Sequence, residues 1–206
     1  MLLQKRKYPI GTQDFNNLRQ GGYVYVDKTV FIDKLLNDSR QFFLSRPRRF
    51  GKSLFLSTLS YYFQGRKDLF EGLYIAEVEK EWAEYPVLHI DFNVGALMNA
   101  ENLAERISLI LNEFEQLWGQ TIATTDLPSR FEAVIKSAYK KTGKGVVVLI
   151  DEYDKPLLNT INDPTANDEI RTTLKSFYGV LKSADIYLKL VFITGVTKFN
   201  KVSIFS

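Results

Sequence analysis

The chain has 206 residues, of which 45% are apolar, 25% charged and 14% aromatic; that excludes a disordered, collagen-like or low-complexity protein and allows one domain with a sizeable core. It has no cysteine and a single histidine, His89, so disulfide scaffolds, zinc fingers, thiol nucleophiles and His-pair metal sites are excluded, while a carboxylate-only metal site stays open. A net charge of +3 is too mild to imply nucleic acid or an anionic membrane, but Ser39 to Lys67 holds seven Lys/Arg and no Asp or Glu, which suits an anionic ligand or a solvated face.

The N-terminus, MLLQKRKYPIG, has no apolar h-region, and no apolar run approaches the roughly 20 residues needed to span a bilayer. The expectation is a cytoplasmic protein without a membrane segment. Tyr8 to Thr29 reads as irregular, with a turn at Gln20–Tyr23 and a short strand at Tyr23–Val26. Val30 to Leu36 has helical spacing. Gln41 to Ser45 reads as a buried strand, and Ser53 to Phe63 as a helix stopped at Gly65. Val87 to Phe92 is a second strand. Leu103, Ile107, Leu111, Phe114 and Trp118 mark a long amphipathic helix. Ser129 with Glu132 forms a capping box for a helix through Tyr139, ended by Gly143 and Gly145. Val146 to Ile150 is an unbroken β-branched run, the pattern of a strand covered on both faces. Asp168 to Leu181 is a helix and Leu188 to Ile193 a fourth strand.

Strands alternating with helices predict parallel β-α-β units in a three-layer α/β/α sandwich. Ligands of such sheets sit beyond the carboxyl ends of the strands. After the first strand comes Arg46-Pro47-Arg48-Arg49-Phe50-Gly51-Lys52-Ser53, then a helix. The phosphate-binding loop G-x-x-x-x-G-K-[ST] matches at its last three positions, with Arg46 in place of the first glycine. Gly51 would let backbone N–H groups approach phosphate oxygens, and the helix start adds further donors. Lys52 would reach the β- and γ-phosphates, and Ser53 would ligate Mg²⁺. Arg46, Arg48 and Arg49 would touch phosphate or face solvent.

After the third strand comes Asp151-Glu152-Tyr153-Asp154-Lys155-Pro156, apolar residues ending in Asp-Glu as in a Walker B motif. Asp151 would face the Mg²⁺ and Glu152 would polarise the attacking water. Asp154 would assist the metal or pair with Lys155 or an arginine. After the fourth strand, Thr194 and then Thr197 are candidates to sense the γ-phosphate, against simple turn threonines. Asp91, Phe92 and Asn93 end a strand expected beyond the third and read as peripheral. His89 reads as structural.

The segments Tyr25–Thr29, Phe43–Leu54, Leu149–Pro156 and Phe192–Phe199 together resemble the predicted AAA-ATPase-like family, a bacterial group of P-loop NTPases similar to the archaeal ATPases. The resemblance runs from about Tyr8 to the last residue. It implies one AAA-ATPase-like domain over 1–206, with an N-terminal arm (1–40) and a nucleotide-binding core (41–206). It implies a phosphate loop spanning Arg46, Pro47, Arg48, Arg49, Phe50, Gly51, Lys52, Ser53 and Leu54, in which Arg46 is the family's own choice. Glu152, Lys52 and Thr194 would be catalytic, with Ser53 and Asp151 at the metal. Tyr25, Asp27, Lys28 and Thr29 would matter too, packed beside the base or simply on the sheet.

ATP or another nucleoside triphosphate and Mg²⁺ are the cofactors expected. Additional-strand ATPases carry a fifth strand after the fourth, so the sheet is expected to be incomplete at Val202–Ser206. Longer members resemble fusions to a C-terminal nuclease-like domain, which would bring a nucleic-acid substrate; an oligomer is compatible. Three readings stand at this point: a Mg²⁺-dependent ATPase hydrolase that regulates an effector domain, a nucleotide-binding regulatory module with little turnover, and a nucleic-acid-binding module using the basic run.

Overall fold

The run Val146–Ile150 has no exposed residue and no polar one, so it can only sit in the middle of a sheet with a core on each face. The computed structural model, which describes residues 7–197, places it there. The strands are β1 (Gln41–Ser45), β2 (Val87–Asp91), β3 (Val146–Asp151) and β4 (Leu188–Gly195). They form one sheet in the order β1-β4-β3-β2, with every pair parallel. Each parallel step needs a crossover, and helices supply it.

Alternation along β3 divides the interior. Val146, Val148 and Ile150 face a core built with α5 (Ala100–Trp118), α6 (Leu127–Thr142) and α8 (Pro164–Ser183). Val147 and Leu149 face the opposite core, built with α1 (Phe15–Gln20), α2 (Val30–Leu36), α3 (Lys52–Phe63) and α4 (Tyr74–Val78). The chain is thus an α/β protein of three layers, as expected. One further short helix, α7 (Lys155–Asn159), follows β3. No helix among the described residues is long and apolar enough to cross a membrane.

Four local readings change. Tyr23–Val26 is not a strand of the sheet; Tyr23 makes only an isolated bridge to Lys7. The arm instead contains α1, capped by Asp14, whose Oδ1 accepts from Asn17 N–H at 2.7 Å. The cap of α6 is Asp126, accepting from Ser129 N–H at 2.9 Å, and Glu132 pairs with Lys136 at 3.0 Å rather than closing a capping box. Here Pro128 in the first turn suits an earlier start, because its missing N–H needs no partner there. Likewise α8 begins at Pro164 behind the Asp163 cap, ahead of Asp168. The readings on residues 1–6, on Lys198 and Phe199 and on Val202–Ser206 lie outside the described residues.

A buried ion pair ties α5 to α6. Arg130 donates through Nε and Nη2 to the two carboxylate oxygens of Glu115, both at 2.8 Å. Nη1 donates to Ser108 Oγ at 2.8 Å, and Nη2 also donates to Asn112 Oδ1 at 2.6 Å. The hydrogen bonds to Glu115 hold the guanidinium pKa above its ordinary value, against the opposing effect of burial.

Candidate nucleotide site

Because all four strands run the same way, their carboxyl ends share one edge. Ser45 lies beside Gly195, and Asp91 lies beside Asp151. The loops that leave these residues open together. The first, residues 46–51, begins with Arg46 N–H donating to Gly195 C=O at 3.2 Å. It turns through two left-handed residues, Arg49 (φ 67°) and Gly51 (φ 76°). At Gly51 this is a glycine conformation, and a Cβ there would meet no atom within 4 Å, so the restriction is on the backbone and not on space. Phe55 N–H to Gly51 C=O, at 3.0 Å, is the first bond of α3, so the amides of Lys52, Ser53 and Leu54 face out of the helix end.

Lys52 is only 4% exposed. Its ammonium lies 3.2 Å from Glu152 Oε1 and donates to Pro47 C=O at 3.4 Å. Glu152 reaches it from a left-handed backbone (φ 51°), an unfavourable conformation for a side chain with a Cβ. The two motifs read separately from the sequence therefore meet in a contact. Asp151, buried at the end of β3, accepts from the Thr194 hydroxyl and, at 3.1 Å, from Glu152 N–H, both on Oδ1. Thr194, expected to sense phosphate, is fully buried on β4 between β1 and β3, where its hydroxyl holds Asp151 Oδ1.

A cavity of about 780 Å³ lies over the loop. Arg48, Arg49, Gly51, Lys52, Ser53 and Leu54 form one wall, with Glu152 opposite. No ion pair or hydrogen bond is made by the Arg48 or Arg49 side chain among the described residues, and both are exposed. A smaller cavity of about 300 Å³ adjoins it at Ser53 and takes in His89, Asp91 and Asp151. Among the described residues no three His, Cys, Asp or Glu side chains are grouped to hold a metal by themselves. The oxygen pair of Ser53 and Asp151 suits a hard cation that takes its other ligands from phosphate and water.

Three placements were not legible in the sequence. Pro9 to Gln13 of the arm form a wall of the large cavity. They are held there because Asp14 Oδ2 accepts from Ser57 Oγ at 3.2 Å and Tyr61 OH at 3.1 Å, both on α3. Asn93 also lines the cavity and accepts from Lys155 Nζ at 2.6 Å, so the end of β2 is part of the site and not peripheral. The end-of-strand rule applied evenly to all four strands points to it. Asp154 is fully buried, and the donors it accepts from lie on the loop after β4 rather than on Lys155. It accepts from Val196 N–H at 3.0 Å, Thr197 N–H at 2.7 Å and Thr197 Oγ1 at 2.6 Å, fixing the loop after β4. Gly195 makes this approach possible, since a Cβ would lie 2.5 Å from the Tyr153 ring and 2.8 Å from Asp154 Oδ1. Asp154→Ala, which strands those donors, should lower stability by about 1–3 kcal/mol in a urea titration.

Of the arm residues, Tyr25 packs on Phe15 with ring centroids 5.2 Å apart. Asp27 accepts from Thr29 N–H at 2.8 Å and Tyr74 N–H at 2.7 Å, and Thr29 Oγ1 accepts from Ile75 N–H at 3.1 Å. Partial burial pushes the Asp27 pKa up, but these hydrogen bonds outweigh it and hold the group below its ordinary value. Both residues thus fasten the start of α4.

The sequence pattern of the family described as Predicted AAA-ATPase matches residues 9–205. The chain belongs to the predicted AAA-ATPase family. Membership points to nucleotide binding and ATPase chemistry. The chain is also similar to an Azotobacter chroococcum mcd 1 protein described as an uncharacterized protein in the vnfD 5' region, with 42% identity over 206 residues. The match takes in 99% of the chain and 40% of the relative, so the chain spans well under half of that protein's length. No solved structure matches it.

Proposed function

We propose that the chain binds ATP with Mg²⁺ across the loop 46–53 and hydrolyses it. One observation carries this reading: the helix start at Lys52–Leu54 and Glu152 converge on one cavity from strands that lie two places apart in the sheet, and Asp151 lines the smaller cavity that joins it at Ser53. The amides of Lys52, Ser53 and Leu54 and the Lys52 ammonium would take the β- and γ-phosphates, with Arg48 and Arg49 adding charge. Ser53 and Asp151 would hold Mg²⁺, which when bound neutralises charge on the phosphate oxygens. Thr194 and the Glu152 amide both occupy Asp151 Oδ1, so Oδ2 is the oxygen left for the cation. Phosphate arriving at Lys52 would take over its charge and free Glu152 to orient the attacking water as general base.

The pairing of Glu152 with Lys52 also favours a second reading, nucleotide binding without turnover, since the base is occupied. A thermal-shift titration tests binding. Mg·ATP at 100 times its dissociation constant should stabilise the parent by about 2.7 kcal/mol, and Lys52→Ala should abolish the shift. Absence of any shift in the parent overturns the site. A single-turnover assay separates the two readings: cleaved γ-phosphate supports hydrolysis, and retained intact ATP supports the second. In the whole protein, hydrolysis would switch an attached effector, for which the resemblance names a nuclease-like domain.

A further inference from the structure

The loop 46–51 has a second side. Arg46, Phe50 and Gly51 border another cavity, of about 410 Å³, on the face turned away from Glu152. It runs along β1, whose outer edge has no strand beside it among the described residues. Its floor is aromatic: Phe192 packs against Phe42 at 6.2 Å and edge-on against Phe55 at 5.6 Å. Its rim is formed by Phe31 and Phe50, which are 49% and 64% exposed. Phe50 is a large apolar ring exposed on the loop, and Phe31, with Lys34 Nζ 5.6 Å over its ring, flanks the same opening. Lys28, Lys34, Asp38 and Arg46 supply polar groups around that rim.

Gly51 lines this cavity and the phosphate cavity alike, so the two meet at the residue where the loop enters α3. A nucleoside triphosphate has the matching asymmetry: an anionic end for the basic, amide-lined side, and a flat aromatic end for the ring-lined side. The volume lies within the roughly 300–1,000 Å³ of small-molecule sites. Resting on the triphosphate reading above, we propose that this second cavity is the base subsite, in which the purine of the bound nucleotide stacks between Phe50 and the aromatic floor, with Asp38 at hand to accept from its amino group. Of the arm residues that the resemblance singles out, Lys28 alone borders it.

The subsite is separable from the phosphate site by using a ligand that has no base. Affinities of Mg·ATP and of Mg·tripolyphosphate are measured by calorimetry on the parent, on Phe50→Ala and on Phe31→Ala. Phe50 is exposed, so its truncation leaves the core intact. A stacked base is worth roughly 5- to 150-fold in affinity on truncation to alanine. The expected result is that ATP binds more tightly than tripolyphosphate to the parent, that Phe50→Ala removes most of that advantage, and that Phe31→Ala, on α2 and outside the loop, weakens ATP while leaving tripolyphosphate affinity within twofold of the parent. ATP affinity unchanged in both variants overturns the subsite and leaves the phosphate site standing; the cavity would then be a seat for protein. Equal losses for the two ligands also overturn it, because Phe50 would then act through the loop. If neither ligand binds the parent, the triphosphate reading itself fails and the subsite with it.

Discussion

Glu152→Gln is expected to lower ATP turnover by roughly 100- to 10,000-fold, the usual contribution of a general base, while ATP binding stays as tight as in the parent or becomes tighter. The second half of that expectation comes from the ion pair. Lys52 is nearly buried and its charge is matched by Glu152 at 3.2 Å. Phosphate must displace that carboxylate to reach the ammonium. Glutamine keeps the shape but removes the competing charge, so the ammonium is free for phosphate. The same change leaves a buried cation uncompensated, which costs several kcal/mol when a pair is broken from one side. Glu152→Gln without nucleotide should therefore melt below the parent, and saturating Mg·ATP should raise it by more than it raises the parent. Wild-type turnover in Glu152→Gln would remove Glu152 from the chemistry. Unchanged stability without nucleotide would remove the ion pair from the energetics.

Arg130→Met is expected to destabilise the chain by about 3–5 kcal/mol, because it strands the Glu115 carboxylate between α5 and α6 with its charge unmatched. For a chain of this size that is a fall of roughly 6–20 °C in Tm. Arg130→Lys should recover only part of it, since one ammonium cannot replace two parallel bonds to a carboxylate and two more to Ser108 and Asn112. The double variant Arg130→Met/Glu115→Met should be closer to the parent than either single variant, as the buried charge is then gone altogether. A simple sum of the two single losses in denaturant titrations would refute the coupling.

The readings that held rest on signals carried within one segment. A strand covered on both faces must be apolar throughout, and Val146–Ile150 is. A tight turn into a helix favours glycine at a left-handed position, and Gly51 holds it directly before Lys52 and Ser53. Strands that alternate with helices leave little choice but a parallel sheet, so the candidate residues were bound to collect at one edge. The readings that changed depend on partners distant in sequence. Tyr23–Val26 has strand-forming residues but pairs with no strand of the sheet; the start of the arm is held by Asp14 reaching Ser57 and Tyr61 on α3. Asp154 could serve a metal, Lys155 or an arginine on sequence alone; the loop after β4 supplies three donors to it.

By itself, then, the amino-acid sequence determines the α/β class, the crossover helices and the chemistry of the residues at each strand end, because these follow from hydrophobic period and from local backbone needs. Only the tertiary structure decides what those residues do to one another. Thr194 meets Asp151, and Lys52 meets Glu152 across 100 positions of chain, because β4 lies between β1 and β3, and strand order is settled by the packing of two cores that no local pattern records.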